Sequence, residues 1–193
     1  MTFNSRVFWR LIAIFAILDA CILMAGCGDW ESQAISIISL LGPAIQAVIA
    51  VLAAFGVGVS ADVMTTFQNW ATQADNALLT VKGLIQQYKT AAAADQPGLL
   101  NEITTALGVI SSNLSTILPE LHITDANTQA RVSAALSAIM GFIAAITALL
   151  PAVTAVTSED EAKALHLKAN ETVKQFKSEF NGALGYYGKQ YEI

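Results

Sequence analysis

Residues 132–153 of the chain read VSAALSAIMGFIAAITALLPAV. Their large apolar side chains are separated alternately by four and three positions, at Val132, Leu136, Ile139, Ile143, Ile146, Leu150 and Val153. This spacing places the apolar side chains on one face of an α-helix and is typical of helices that pack side by side. The stretch therefore predicts a long helix whose apolar face lies inside a helical bundle.

The same spacing recurs in other parts of the chain. It runs through residues 38–59, 67–88 and 100–121, and a fifth segment at 165–187 has a single apolar face. No strand-like alternation of comparable length competes with it. Because four of the segments have matching apolar faces and the fifth is amphipathic, we expect them to bury one another.

Capping and helix-breaking residues separate the segments. Ser60 is suited to cap the second helix, Pro97 to the first turn of the third, and Ser158–Glu161 to a capping box that opens the fifth. Short connections favour antiparallel neighbours. The sequence predicts an all-α, up-and-down antiparallel bundle in one domain, residues 27–193, with helices at roughly 32–57, 61–93, 98–118, 125–156 and 159–187. Pro43 and Pro151 lie inside two of these segments and are expected to kink or break them.

The composition restricts the binding partners. Hydrophobic residues make up 54% of the 193 residues, charged residues make up 13%, and the net charge is −5. An acidic chain with few charges is unsuited to nucleic acid and to electrostatic docking on anionic lipid. A link to a membrane is therefore expected to be apolar or covalent.

The first 27 residues have the order of a secretory signal. Arg6 and Arg10 precede an apolar run at 11–18, and small residues precede Cys27. Met24-Ala25-Gly26-Cys27 resembles the lipobox of bacterial lipoproteins. The resemblance implies that residues 1–26 form a cleaved signal peptide and that the Cys27 sulfur carries acyl chains, such as palmitate. It also implies a lipid-anchored protein at the bacterial cell membrane or the outer membrane, facing the periplasm or the exterior.

Two other interpretations of this segment remain open. Residues 7–26 could form an uncleaved anchor helix, although Asp19 would then be costly inside a bilayer, or the chain could be secreted without lipid. Cys21 is a rival lipid acceptor, but Asp19 lies within its recognition stretch. Cleavage before Cys27 would change the net charge to −6 by removing Arg6, Arg10 and Asp19, and would leave no free thiol after lipidation.

Residues 32–61 and 132–158 contain no charged side chain. Each stretch is long enough to span a bilayer, so a membrane-inserting or pore-type protein is one hypothesis. The other is that both segments are the buried helices of a water-soluble bundle, whose amphipathic helices need apolar partners. A third hypothesis is a carrier of an apolar ligand, with a cavity where Pro43 and Pro151 loosen the packing.

The side chains needed for catalysis or metal binding are scarce. His122 and His166 are isolated, so no metal site is expected, and a catalytic pair of His122 with Asp125 is less expected than a capping role. The carboxylates of residues 159–161 suit a helix start. We therefore expect no enzyme activity, no cofactor and no metal, and a structural or interaction role in the envelope with an unknown protein partner.

The C-terminal stretch NGALGYYGKQYEI, residues 181–193, is rich in glycine and tyrosine. Tyr186, Tyr187 and Tyr191 combine an aromatic body with a polar tip, which suits a partner surface. The alternative is that Tyr187 and Tyr191 pack along the bundle.

Overall fold

The computed structural model describes residues 30–55, 60–120, 123–156 and 158–193, and these ranges contain helices and no strand. The helices are α1 (Trp30–Ile38), α2 (Leu41–Phe55), α3 (Ala61–Thr90), α4 (Gln96–Ile117), α5 (Ala126–Ala155) and α6 (Glu159–Leu184). Short 3₁₀ turns follow α4 at Leu118–Glu120 and α6 at Gly185–Tyr187 and Lys189–Tyr191. The all-α bundle predicted from the sequence is confirmed.

The first predicted helix is two helices that meet at Ser39 and Leu40. In a continuous helix the Ser39 carbonyl would accept a hydrogen bond from residue 43, and Pro43 has no N–H to donate. Pro43 lies instead in the first turn of α2, where backbone N–H groups have no partner within the helix. The break therefore falls just before the proline. By contrast, α5 continues through Pro151 and ends at Ala155.

Three of the helices begin at a residue whose side chain accepts a hydrogen bond from a backbone N–H of the first turn. Ser60 Oγ accepts from the Val63 N–H at 3.3 Å and begins α3. Ser158 Oγ accepts from the Glu161 N–H at 3.3 Å, while Glu161 Oε2 accepts from the Ser158 N–H at 3.1 Å. The capping box predicted at Ser158 is thus confirmed. Asp125 begins α5 in the same way as Ser60 begins α3.

Helices α3 to α6 pack as two hairpins, and α1 and α2 lie between them. α3 lies against α4, α5 lies against α6, and α4 joins the hairpins by packing on α5. α1 lies against α3, and α2 lies against both α3 and α5. Gln33 and Ala34 of α1 lie beside Val153 and Leu165, so α1 starts at the end of the bundle where α5 leads into α6, which we call the α1 end. The C-terminal turns lie at the opposite end, where the 3₁₀ turn Lys189–Tyr191 contacts α2.

The predicted apolar faces form one core. In α2, Leu41, Ile45 and Val48 are fully buried, and in α4, Leu107 and Leu114 are fully buried. The seam of α5 is buried from Val132 to Leu150. Other large side chains in the core are Phe67, Trp70, Ile85, Ile103, Phe176 and Phe180. The two charge-free segments therefore supply the apolar surface that the amphipathic helices α3, α4 and α6 cover.

Candidate functional site

An apolar groove runs between α5 and α6 toward the α1 end of the bundle. Its inner part is a cavity of about 50 Å³ that α1 covers, lined by Gln33, Ala34, Ile37, Ile146, Leu149, Leu150, Val153, Leu165, Ala169 and Thr172. Its outer part is an open cleft of about 300 Å³, lined by Ala152, Val156, Glu161, Ala164, Leu165 and Lys168. Leu165 lines both hollows, and we refer to the two together as the α5–α6 groove.

The groove exists because short side chains face each other where α5 and α6 approach. Ala152 on α5 and Ala164 and Ala169 on α6 leave space that longer side chains would fill. α1 is fixed over the inner part by a hydrogen bond from Gln33 Nε2 to Asn170 Oδ1 at 3.5 Å. The polar side chains of its lining are Gln33, Thr172, Glu161 and Lys168, and the remaining lining is apolar. This arrangement offers no set of converging donors for a polar substrate.

Cys27, the predicted lipid attachment site, lies outside the described residues. α1 begins at Trp30, three positions further along the chain. The side chains of its first two turns, Gln33, Ala34 and Ile37, form part of the groove wall. The groove is therefore the apolar feature closest in sequence to the predicted attachment site.

The tyrosines of the predicted partner surface have different surroundings. Tyr187 and Tyr191 are half-buried and pack against the core, together with Ile193. Tyr186 is 63% exposed, and the Arg131 guanidinium lies 4.0 Å from the centre of its ring. Only Tyr186 of the three presents most of its surface to solvent, in a cation–π pair with Arg131.

Asn181 holds Ile193 through two hydrogen bonds, a contact that no motif in the sequence indicated. Its Nδ2 donates to the Ile193 carbonyl oxygen at 3.0 Å, and its Oδ1 accepts from the Ile193 N–H at 2.7 Å. Gly188, at φ 129°, turns the chain between the two 3₁₀ turns, a conformation that glycine adopts without steric cost. The C-terminal stretch is thus folded back on the bundle.

The two histidines and the carboxylates of residues 159–161 form no common site among the described residues. His122 lies outside the described residues, and His166 is half-buried on α6. Glu159 pairs with Lys163 at 2.8 Å, and Glu161 completes the cap of α6. No group of three metal-ligating side chains occurs in the part of the chain that the structure describes.

Asp125 caps α5 through a hydrogen bond of 2.6 Å from the Thr128 N–H to its Oδ1. Hydrogen bonds from the Thr128 side chain and backbone hold the pKa of this carboxyl below its usual range. A carboxyl whose pKa is lower in the folded state stabilises the fold above its ordinary pKa. This stabilisation is lost as the pH falls through the lowered value.

We expect Asp125→Asn to reduce the loss of stability in acid. Asparagine also caps helices well, so stability near neutral pH should change little while the titrating charge is removed. The measurement is urea unfolding of wild type and variant near neutral pH and at about pH 3, below the ordinary carboxyl range. An equal acid-induced loss in both proteins would show that the Asp125 carboxylate does not contribute to it.

Two stretches of the described residues are long and apolar enough to cross a membrane by length and composition, Glu31–Ala54 and Ala126–Val153. They are compatible with membrane association. In the bundle, however, the exposed positions of the second stretch carry no large apolar side chain, and include Ala130, Ala134, Ser137, Gly141, Ala144 and Ala148. The exposed large apolar side chains of the described residues are Leu79, Val109, Leu167 and Tyr186. They lie on α3, α4, α6 and the C-terminal turns and do not form a belt around the molecule.

No protein-family model matches the chain, and no curated protein or solved structure is significantly similar to it.

Proposed function

We propose that the protein is a lipid-anchored component of the bacterial cell envelope, with a structural or interaction role and no catalytic one. The observation that carries this proposal is the burial of the large apolar side chains of both charge-free segments in the core. Ile38, Leu41 and Ile45 in the first segment, and Leu136 and Ile139 in the second, have no exposed surface. In this closed form the segments stabilise the bundle, and the strong hold on the membrane is the lipid on Cys27.

The topology supports a defined orientation for the anchored protein. Cys27 precedes α1, so the α1 end of the bundle lies next to the bilayer. The pair of Arg131 and Tyr186 lies at the opposite end, because α5 begins and α6 ends there. The 30 residues of α5 form a helix about 45 Å long. The anchored bundle would therefore present Tyr186 to an envelope protein partner well away from the membrane surface.

The proposal predicts the form of the mature protein. The chain isolated from bacterial membranes should begin at Cys27 and have an intact mass that includes acyl chains. Cys27→Ser should abolish lipidation, whereas the matched variant Cys21→Ser should be processed and lipidated as wild type. Cell fractionation with intact mass measurement tests this, and a mature chain that retains Met1 to Gly26 would contradict it.

A membrane-inserting protein is the second candidate, and the length of the two charge-free stretches favours it. Insertion would require the bundle to open, since the large apolar side chains of α2 and α5 point into the core. The carrier of an apolar ligand is the third candidate. The inner part of the α5–α6 groove, at about 50 Å³, is much smaller than the several hundred Å³ typical of ligand sites.

A further inference from the structure

We propose that α1 is a hinged lid, which opens at Ser39 and Leu40 while α2 to α6 stay folded. Its movement controls how much apolar surface the bundle exposes at the α1 end. Neither a lipid on the chain nor the function proposed above is required for this movement. Three features of α1 point to it: its unpaired polar atoms, its sparse packing and its connection to α2.

Two polar side-chain atoms of α1 are buried without a hydrogen bond. Glu31 Oε2 and Ser36 Oγ have almost no exposed surface and no hydrogen-bond partner among the described residues. Each atom loses its hydrogen bonds to water when α1 packs on the bundle, and opening of α1 would restore them. The closed position of α1 is therefore opposed by the cost of two desolvated polar atoms.

The contacts that hold α1 closed are few. Among its described side chains, Ile37 and Ile38 are buried in the core. The hydrogen bond from Gln33 Nε2 to Asn170 Oδ1 is 3.5 Å long, beyond the usual range for such bonds, and a hollow of about 50 Å³ lies between α1 and helices α5 and α6. Burying two isoleucines and leaving two polar atoms unpaired are effects of similar size. The closed and open positions of α1 therefore differ little in free energy.

The connection to α2 allows α1 to move as a unit. The Ser39 N–H donates to the Ile35 carbonyl at 3.0 Å and completes α1, whereas the Leu40 carbonyl accepts from the Ala44 N–H at 3.2 Å and begins α2. Pro43 has no N–H to donate to the Ser39 carbonyl, so the helical hydrogen bonds are interrupted at this point. Rotation of the backbone at Ser39 and Leu40 can therefore turn α1 away without unwinding either helix.

Opening of α1 would uncover apolar side chains of α5 and α6. Ile146 and Leu150 are 5% and 4% exposed in the closed form, and they line the hollow beneath α1 together with Leu165 and Ala169. The chain after the hinge would stay in place, because Leu41 at the start of α2 is fully buried in the core. The open form thus presents apolar surface at one end of a bundle that is otherwise folded.

Hydrogen exchange of the full-length protein, followed residue by residue by NMR, tests the lid. Amide protection factors should be similar from Ala34 to Ser39 and more than about tenfold below those in the middle of α3, as expected for a local opening. Exchange of the α1 amides should also depend little on low concentrations of urea, because local opening exposes much less surface than global unfolding.

A matched pair of serine variants tests the cause of the opening. Ser36→Ala removes the buried hydroxyl and should raise the protection of the α1 amides about tenfold, with the protection of α3 unchanged. Ser32→Ala is the control, because Ser32 is exposed on the same helix and the two substitutions change helix propensity equally. It should raise the protection of α1 much less.

Three results would overturn the proposal. If the α1 amides exchange with the protection and the urea dependence of α3, α1 opens only when the whole bundle unfolds. If protection rises steadily from Ala34 to Ser39, the helix frays from its start and does not turn about a hinge. If Ser36→Ala raises protection no more than Ser32→Ala does, the buried hydroxyl does not oppose closure.

Discussion

Phe176→Ala is expected to lower the free energy of unfolding by about 3–5 kcal/mol, the range for removing a buried phenylalanine from a core. The side chain is 2% exposed, and its ring stacks on Phe142 with the ring centres 4.0 Å apart and the planes 5° from parallel. Phe180 lies on its other side, with a distance of 5.6 Å between ring centres. Truncation therefore removes both ring contacts and leaves a cavity between α5 and α6.

Urea unfolding followed by circular dichroism measures this loss. Lys174→Ala is the matched control, because Lys174 is exposed on the same helix and surface changes of this kind usually stay within about 0.5 kcal/mol. If the two variants lost similar stability, the α5–α6 pairing described here would be wrong.

Leu107→Ala should lower the free energy of unfolding by about 2–5 kcal/mol. Leu107 is fully buried in the middle of α4, the helix that packs on both α3 and α5. The cavity left by the substitution would therefore lie where the two hairpins meet. Chemical denaturation of the full-length protein measures the effect.

Val109→Ala provides the comparison for Leu107→Ala on the same helix. Val109 is 44% exposed, so its truncation removes little buried surface and should have a small effect. A loss below about half a kcal/mol for Leu107→Ala, far under the cost of a buried leucine, would mean that this face of α4 is exposed to solvent or lipid.

The helices and their buried faces could be predicted because the spacing of apolar residues in the sequence identifies which side of each helix is buried. Ile103, Leu107 and Ile110 follow the spacing in the sequence, and all are buried in the fold. The interruption near Pro43 was also predictable, because a missing N–H has a local effect. The spacing did not show that α5 would continue through Pro151, which lacks the same N–H.

The candidate site was less predictable, because it depends on contacts between distant segments. The α5–α6 groove arises from small side chains such as Ala152 and Ala164 on different helices, and nothing in either segment alone shows that they face each other. The link between Asn181 and Ile193 is likewise a product of the folded chain end. Cys27 remains a prediction from a local motif, and it lies outside the described residues.

Sedimentation and light scattering of residues 28–193 in detergent-free buffer test the central claim most directly. If the charge-free segments form the core of a water-soluble bundle and lipid is the strong hold on the membrane, this chain should be monodisperse, helical and cooperative in unfolding. If those segments span the bilayer at rest, two apolar stretches that are each long enough to cross it would be exposed to water. Aggregation that only detergent prevents would then contradict the proposed tethered bundle.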